Sequence, residues 1–314
     1  MYGVLIIQHL MVINSTVCVW DVDNNKQIQF NGHSNEVYYV KFSSYHYHNH
    51  RQNVICSSSR DKTIRFWDFK HNKQLQIFNG HTWGVYGIEF SSFNGGRYLC
   101  SGSYDNTICY VMLKHQNYYI NNNNGNNNKM NNIGVIGGNG YTICSGSIDK
   151  TIRIWDIETT KQFIVFKGHE KIVRSVKYGS NELLNTIFSG SEDNSIRLWD
   201  IRFGQQIRVF NGHTEKVFAV EYSPFIINNS GGIFGWFGSN SNVMCSGSWD
   251  NTIRFWDIRS NRNELYMIKG DEKEDKGICC LKFIVLKNKD KTKNVTYDSN
   301  LCYGSCKGFI HIWG

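Results

Sequence analysis

A histidine, a serine and an aspartate recur together in this sequence. His33, Ser59 and Asp61 come first, with Trp67 six residues after the aspartate. A Ser-His-Asp set is the constellation of nucleophilic hydrolysis: imidazole takes the hydroxyl proton, and the carboxylate orients the ring. The same quartet returns as His169, Ser191, Asp193 and Trp199, and again as His213, Ser248, Asp250 and Trp256. An enzyme needs one such site, whereas an architecture needs one copy per repeated unit. The quartets are therefore read as structural, and no catalytic residue is assigned. A second candidate is His46-x-His48-x-His50. Alternate residues of a strand face one side, so three imidazoles there could hold a metal. The reading adopted is a polar loop between strands, with no metal site and no cofactor.

Ten cysteines invite the same question. None lies in a CxxC pair, and their spacing does not match a zinc site. Cys56, Cys100, Cys144 and Cys245 each precede a similar Ser-rich tripeptide, as in Cys144-Ser145-Gly146-Ser147. A cysteine that recurs there acts as a small buried hydrophobe, which favours a reducing, intracellular setting, cytoplasmic or nuclear. The apolar first thirteen residues contain no Lys or Arg and show no clear cleavage site, so they are not read as a secretory leader.

These residues need elements to position them, and the elements repeat. Thr63-Ile64-Arg65-Phe66-Trp67-Asp68 returns at Thr151–Asp156, Ser195–Asp200 and Thr252–Asp257. Weaker copies lie at Thr16–Asp21 and Gly308–Trp313, and a degraded copy at Thr107–Met112 has Val111 in place of Trp. The seven copies are spaced by 47, 44, 44, 44, 57 and 57 residues. A Gly-His pair (Gly32-His33, Gly80-His81, Gly168-His169, Gly212-His213) precedes most of them. Ser-x-Asp stands between the two motifs in five copies: Ser59–Asp61, Ser103–Asp105, Ser147–Asp149, Ser191–Asp193 and Ser248–Asp250. Each unit reads as four short β-rich runs joined by turns.

Gly-His, Ser-x-Asp and Trp-Asp at this spacing resemble the WD40-repeat (G-protein beta-like) family over nearly the whole chain. The resemblance implies an all-β, seven-bladed β-propeller of four-stranded sheets around a channel. One such sheet has two apolar faces, and only a ring of stacked sheets covers both. The resemblance also implies that in each quartet Asp bonds His, His bonds Ser, and Ser bonds the Trp indole N–H. The expected blades are 1–31 (partial), 32–79, 80–120, 121–167 (degenerate), 168–211, 212–269 and 270–314 (lacking its outer strand). The first and last blades are expected to be incomplete. On that reading the chain is a truncated product, or Gly3–Gln8 supplies the missing outer strand. Asn121–Asn132 reads as a flexible loop. Residues 224–240 read as an insertion that packs on the rim or meets a partner, and Lys287–Asp298 as a polar insertion.

The resemblance implies partner binding on the narrow top face. Beside the aspartates, the residues carried over to that face are Arg60, Tyr104, Ile148, Glu192 and Trp249. In the first strands they are Tyr38, Tyr86, Arg174 and Phe218. Arg60, Tyr104, Trp249, Tyr38, Tyr86, Arg174 and Phe218 form the candidate surface, rich in the residue types of interface hot spots. The function expected is a non-enzymatic scaffold or adaptor within a larger complex, its protein partners unidentified. The alternative is a nucleic-acid-associated subunit with a basic surface, because 34 Lys+Arg exceed 26 Asp+Glu by a net +8. That excess is diffuse. Its densest run, Lys287–Lys293, is broken by Asp290 and reads as a solvated loop, so nucleic acid is the lesser reading. No run of eighteen apolar residues exists to span a membrane.

Overall fold

The computed structural model describes residues 4–6, 15–21, 26–43, 45–47, 52–90, 97–113, 119–123, 131–132, 136–137, 142–156, 161–179, 183, 185–223, 225–227, 233–236, 242–259, 264–271, 273–289 and 295–313. The short β-rich runs pair as antiparallel sheets in chain order, giving a seven-bladed β-propeller. The second blade sets the pattern, with an inner strand Val37–Phe42, then Val54–Ser59, Ile64–Asp68 and an outer strand Lys73–Phe78. The third (85–123), fifth (173–210) and sixth (217–269) repeat it. In the fourth, Thr142–Ser147, Ile152–Asp156 and Gln162–Phe166 are regular, while two short segments, Asn131–Asn132 and Ile136–Gly137, pair on the inner side.

The second strands are apolar and small on both faces because each lies between two neighbouring sheets. Val54–Ser59, Thr186–Ser191 and Val243–Ser248 are buried at every position. Six core clusters fill the six successive gaps between blades. Phe66 and Leu99, for example, meet between the second and third, and Phe255 and Leu301 between the sixth and seventh. Some gaps are too narrow for a side chain. A Cβ on Gly190 would lie 2.7 Å from Val217 Cγ1 and 3.1 Å from Val220 Cγ1 of the next blade. Gly190→Ala is therefore expected to destabilise the protein by about 1–2 kcal/mol through overpacking, as measured by chemical denaturation. An unchanged midpoint would mean that the blades separate freely there.

Among the described residues the first and seventh blades each have three strands: Val4–Ile6, Thr16–Asp21 and Lys26–Asn31, and Ile278–Lys289, Val295–Ser305 and Ile310–Trp313. Three sequence-based expectations change. Val4–Ile6, the described part of Gly3–Gln8, pairs with Thr16–Asp21 of its own blade, Leu5 opposite Trp20, and not with the seventh blade. Tyr119–Asn123 is the third blade's outer strand and runs past the expected boundary at 120, while Asn131–Asn132 pairs with Gly146 and Ser147. Asparagine is a poor strand former, but here the ladder to Ile108–Met112 overrides propensity; residues 124–130 lie outside the described ones. Lys287–Lys289 extends a strand, with Lys289 opposite Val295, instead of forming a loop. The insertion at 224–240 contains a hairpin, Phe225–Ile227 with Ile233–Trp236. No helix among the described residues is long and apolar enough to cross a membrane.

Candidate functional site

The quartet histidines are held as a relay, but through a different serine from the one expected. In the second blade His33 Nδ1 lies 2.8 Å from Asp61 Oδ2, and His33 Nε2 lies 2.8 Å from Ser57 Oγ. The indole N–H of Trp67 donates to the same Ser57 oxygen at 2.8 Å. With the imidazole proton placed on Nδ1, toward the carboxylate, Ser57 donates to Nε2 and accepts from the indole, so every polar group of the relay is paired. Ser189 and Ser246 serve His169–Trp199 and His213–Trp256 in the same way. Ser59, Ser191 and Ser248 do not bridge. Their hydroxyls donate to the carbonyls of Asn35, Lys171 and Glu215 and accept the N–H of the aspartate two residues on. The two serines share a strand face, but only the earlier one lies within reach of the indole; the later one sits where the strand turns.

This turn recurs with one geometry. The residue after each aspartate (Lys62, Asn106, Lys150, Asn194 and Asn251) is left-handed, with φ between 62° and 72°. Burial alone would raise the carboxyls of Asp61, Asp105, Asp193 and Asp250. Hydrogen bonds from His33, His81, His169 and His213, joined by those from Thr63, Thr107, Ser195 and Thr252 and from backbone N–H groups, together outweigh it and hold all four well below the usual carboxylate range. The glycine before each quartet histidine is required by close approach: a Cβ on Gly168 would sit 2.9 Å from Trp199 Cη2. In the third blade His81 keeps Asp105 and Ser101 although Val111 replaces Trp, and in the fourth Trp155 keeps Ser145 without a histidine. In the seventh, His311 reaches Asp275 instead.

The same turn builds a second, outward-facing set. Its middle residue donates its N–H to the carbonyl just before the inner strand: Arg60 to Glu36, Tyr104 to Gly84, Glu192 to Ile172, Trp249 to Lys216 and Cys306 to Gly277. Two residues beyond each of those carbonyls the inner strand bulges, skipping Tyr38, Tyr86, Arg174, Phe218 and Cys279 in the register. A bulge re-aims a side chain out of the sheet's alternation. Each bulged residue thus meets its own blade's turn. Tyr38 lies within electrostatic range of Arg60, which reaches Glu36 at 3.1 Å. The Tyr86 and Tyr104 rings are 3.8 Å apart. Arg174 pairs with Glu192, and Phe218 lies 5.4 Å from Trp249. Cys279 is joined to Cys306 by a disulfide.

Neighbouring blades link these pairs. Tyr38 stacks on Tyr86 at 4.0 Å and accepts its hydroxyl proton at 2.8 Å, Arg174 lies 5.8 Å over the Phe218 ring, and Lys216 reaches Glu192 at 3.1 Å. Together they border a cavity of about 420 Å³ at the mouth of the channel. Of the candidate surface, Tyr38, Arg60, Tyr86, Arg174, Phe218 and Trp249 line it; Tyr104 stands behind Tyr86. Ile148 belongs to the fourth blade and is not among the lining residues.

Below the mouth the inner strands present Lys41, Glu89, Lys177, Glu221 and Lys282 at one common position. Lys41 pairs with Glu89. Glu221 holds Lys177 at 3.0 Å and Lys282 at 4.0 Å. Burial would lower Lys177, but Glu221 and then Glu89 raise it above its ordinary value. Attraction to Glu221 would raise Lys282, but burial and repulsion from Lys177 and Lys41 leave it lowered. Charges from the second, third, fifth, sixth and seventh blades therefore face one axis.

Sequence reasoning missed Glu36, Lys216, the charged girdle, Trp83 and the cysteine pair. Trp83 follows Gly80-His81 and is 64% exposed. The cysteines occupy the positions already used to select Tyr38 and Arg60, but the seventh blade lacks His and the turn Asp, so the carry-over stopped one blade short. The disulfide pair lies outside the four recurring cysteines read as small buried hydrophobes. That reading describes Cys56, Cys100, Cys144 and Cys245, each fully buried. His46 lies on a single helical turn, Nδ1 2.7 Å from Ser43 Oγ, not on a strand; His48 and His50 lie outside the described residues. No cluster of metal-binding side chains occurs among the described residues.

Comparison with known proteins agrees with this geometry. The family profile of the WD domain, G-beta repeat, matches residues 24–68, 72–110, 127–156, 160–200 and 204–257. Among curated proteins, the CCR4-associated factor 4 homolog of Vanderwaltozyma polyspora is 25% identical over 205 residues, covering 53% of this chain and 29% of that protein. Cell division control protein 4 of Saccharomyces cerevisiae is 23% identical over 183 residues, covering 51% and 22%. The guanine nucleotide-binding protein subunit beta of Arabidopsis thaliana is 28% identical over 169 residues, covering 51% and 40%. The matched part is well under half the length of each relative. With its repeated Trp-Asp strands, its His–Ser–Trp relays and the matching profile over most of its length, this chain belongs to the WD40-repeat family.

Proposed function

We propose that the protein is a non-enzymatic scaffold that holds a protein partner at the mouth of its channel. The observation that carries this reading is the convergence of Tyr38, Tyr86, Phe218 and Trp249 with Arg60 and Arg174 on one cavity. Aromatic and arginine side chains in a concave, partly desolvated setting are the residues that dominate binding energy. Trp83 adds an exposed ring on a segment tied to the turn that carries Tyr104, since Ser103 Oγ donates to its carbonyl. The scaffold reading fits the relay histidines as well, because each has its hydrogen-bonding capacity used within its own blade. The cations around the mouth are paired: Arg60 with Glu36, and Arg174 and Lys216 with Glu192. A surface for a phosphate backbone would leave them free, so this pairing favours a protein segment over nucleic acid.

Trp249→Ala and Trp83→Ala are each expected to weaken binding of co-purifying partners about 30-fold, roughly 2 kcal/mol. The measurement is quantitative affinity capture with the full chain, with melting temperature followed in parallel. Phe203→Ala, which removes an exposed ring from the turn between the third and outer strands of the fifth blade, serves as the control. Undiminished capture by both tryptophan variants, with folding intact, would place the partner surface elsewhere.

A further inference from the structure

In five blades one position of the inner-strand bulge meets the middle of the turn. Four of these pairs are non-covalent, and the fifth is the Cys279–Cys306 disulfide. Cys279 lines the wall of the mouth cavity, while Cys306 is partly exposed at the turn. Among these five blades the seventh is also the one without a histidine–aspartate clamp of the usual kind: Gly270-Asp271 stands for Gly-His, and Lys307 for the turn aspartate. The sulfur bridge therefore does in this blade what the His–Asp bond does in the others, tying the turn to the start of the inner strand.

We propose that Cys279 and Cys306 form a reversible thiol–disulfide site that sets the mouth of the channel, with glutathione disulfide as its oxidant. The dithiol reacts in two exchanges. The Cys306 thiolate, the accessible one, attacks a sulfur of glutathione disulfide; that S–S bond breaks and one glutathione thiolate leaves. The Cys279 thiolate then attacks the Cys306 sulfur of the mixed disulfide, forming the internal bond and expelling the second glutathione. Two protein thiols are oxidised, one glutathione disulfide is reduced to two glutathiones, and the two thiol protons end on the departing thiolates. The Cα atoms stand 5.8 Å apart, inside the range a disulfide spans, so the bond closes and opens without moving the backbone far.

The consequence reaches the largest side chain of the mouth. Gly277, which accepts the Cys306 N–H at 2.9 Å, has φ +87° and lies against the backbone of Trp249; a Cβ there would be 2.9 Å from Trp249 Cα. The inner strand thus enters the blade pressed on the residue that carries the Trp249 ring. With the bridge closed this entry is fixed. With it open, the backbone bond, the Gly277 N–H bond to Asn251 Oδ1 and packing hold it, in a blade with three described strands. The effect on partner binding rests on the proposed mouth function; the redox step does not.

The test equilibrates the full chain in glutathione buffers of stepped thiol-to-disulfide ratio, traps free thiols by alkylation and maps them by mass spectrometry. Cys279 and Cys306 are expected to change together across the series, with buried Cys56, Cys100, Cys144 and Cys245 unchanged. Amide exchange over residues 277–283 is expected to be about tenfold slower in the oxidised form. Cys279→Ser and Cys306→Ser should each abolish the internal bond and show fast exchange at every ratio. A pair that stays joined, or stays apart, at all ratios overturns the proposal, as does identical exchange in the two forms. Partner capture by oxidised and reduced protein is read separately. A failed redox step leaves the loss of capture in Trp249→Ala standing, and the reverse holds equally.

Discussion

Trp199→Ala is expected to lower the unfolding free energy by about 4 kcal/mol, measured by urea denaturation. The indole is 1% exposed, lies 5.4 Å from the Phe166 ring and packs over Gly168 and His169. Truncation opens a cavity that the surrounding strands cannot close, and it removes the donor that Ser189 accepts. The serines sharpen the test. Ser189→Ala removes the shared partner of His169 and Trp199, leaving two buried polar groups unpaired, an expected loss of about 3 kcal/mol. Ser191→Ala removes only a turn hydroxyl, an expected loss of about 1 kcal/mol. Equal losses at the two serines would mean that Ser189 does not carry the relay.

Glu221→Ala is expected to cost about 3 kcal/mol. Its carboxylate holds Lys177 at 3.0 Å and Lys282 at 4.0 Å, in a channel where burial would otherwise raise it and the lysines keep it ionised. Without it, Lys41, Lys177 and Lys282 share Glu89 alone among the described charges. Removing one member of a buried pair strands the other, whereas replacing both with apolar groups of similar size can be nearly neutral. The double variant Lys177→Met with Glu221→Leu should therefore recover most of the loss. If the double variant is less stable than Glu221→Ala, the girdle contributes through geometry that apolar packing cannot replace.

The strands and turns were legible because their signals are local. Side chains alternate with period two, and the turn after each aspartate needs a left-handed residue, which Asn106, Asn194 and Asn251 accommodate. From these, seven units and their order follow. The asparagine tract shows the limit. Tyr119–Asn123 has poor strand composition, and only its register against Ile108–Met112 makes it an outer strand. The same limit applies to Ser57 and Ser59. Both are small, polar and on one face of one strand, and no local pattern distinguishes the residue beneath an indole from the one at the turn.

By itself, then, the order of residues determined a succession of small sheets and where its turns fall, because dihedral preference and alternation act over a few neighbours. Only the tertiary structure decided which side chains share a cavity. Tyr38, Tyr86, Arg174, Phe218 and Cys279 lie 48, 88, 44 and 61 residues apart along the chain. They meet because five bulges turn them toward one axis. That convergence is a property of how the blades stack, and stacking depends on apolar contacts between strands distant in sequence.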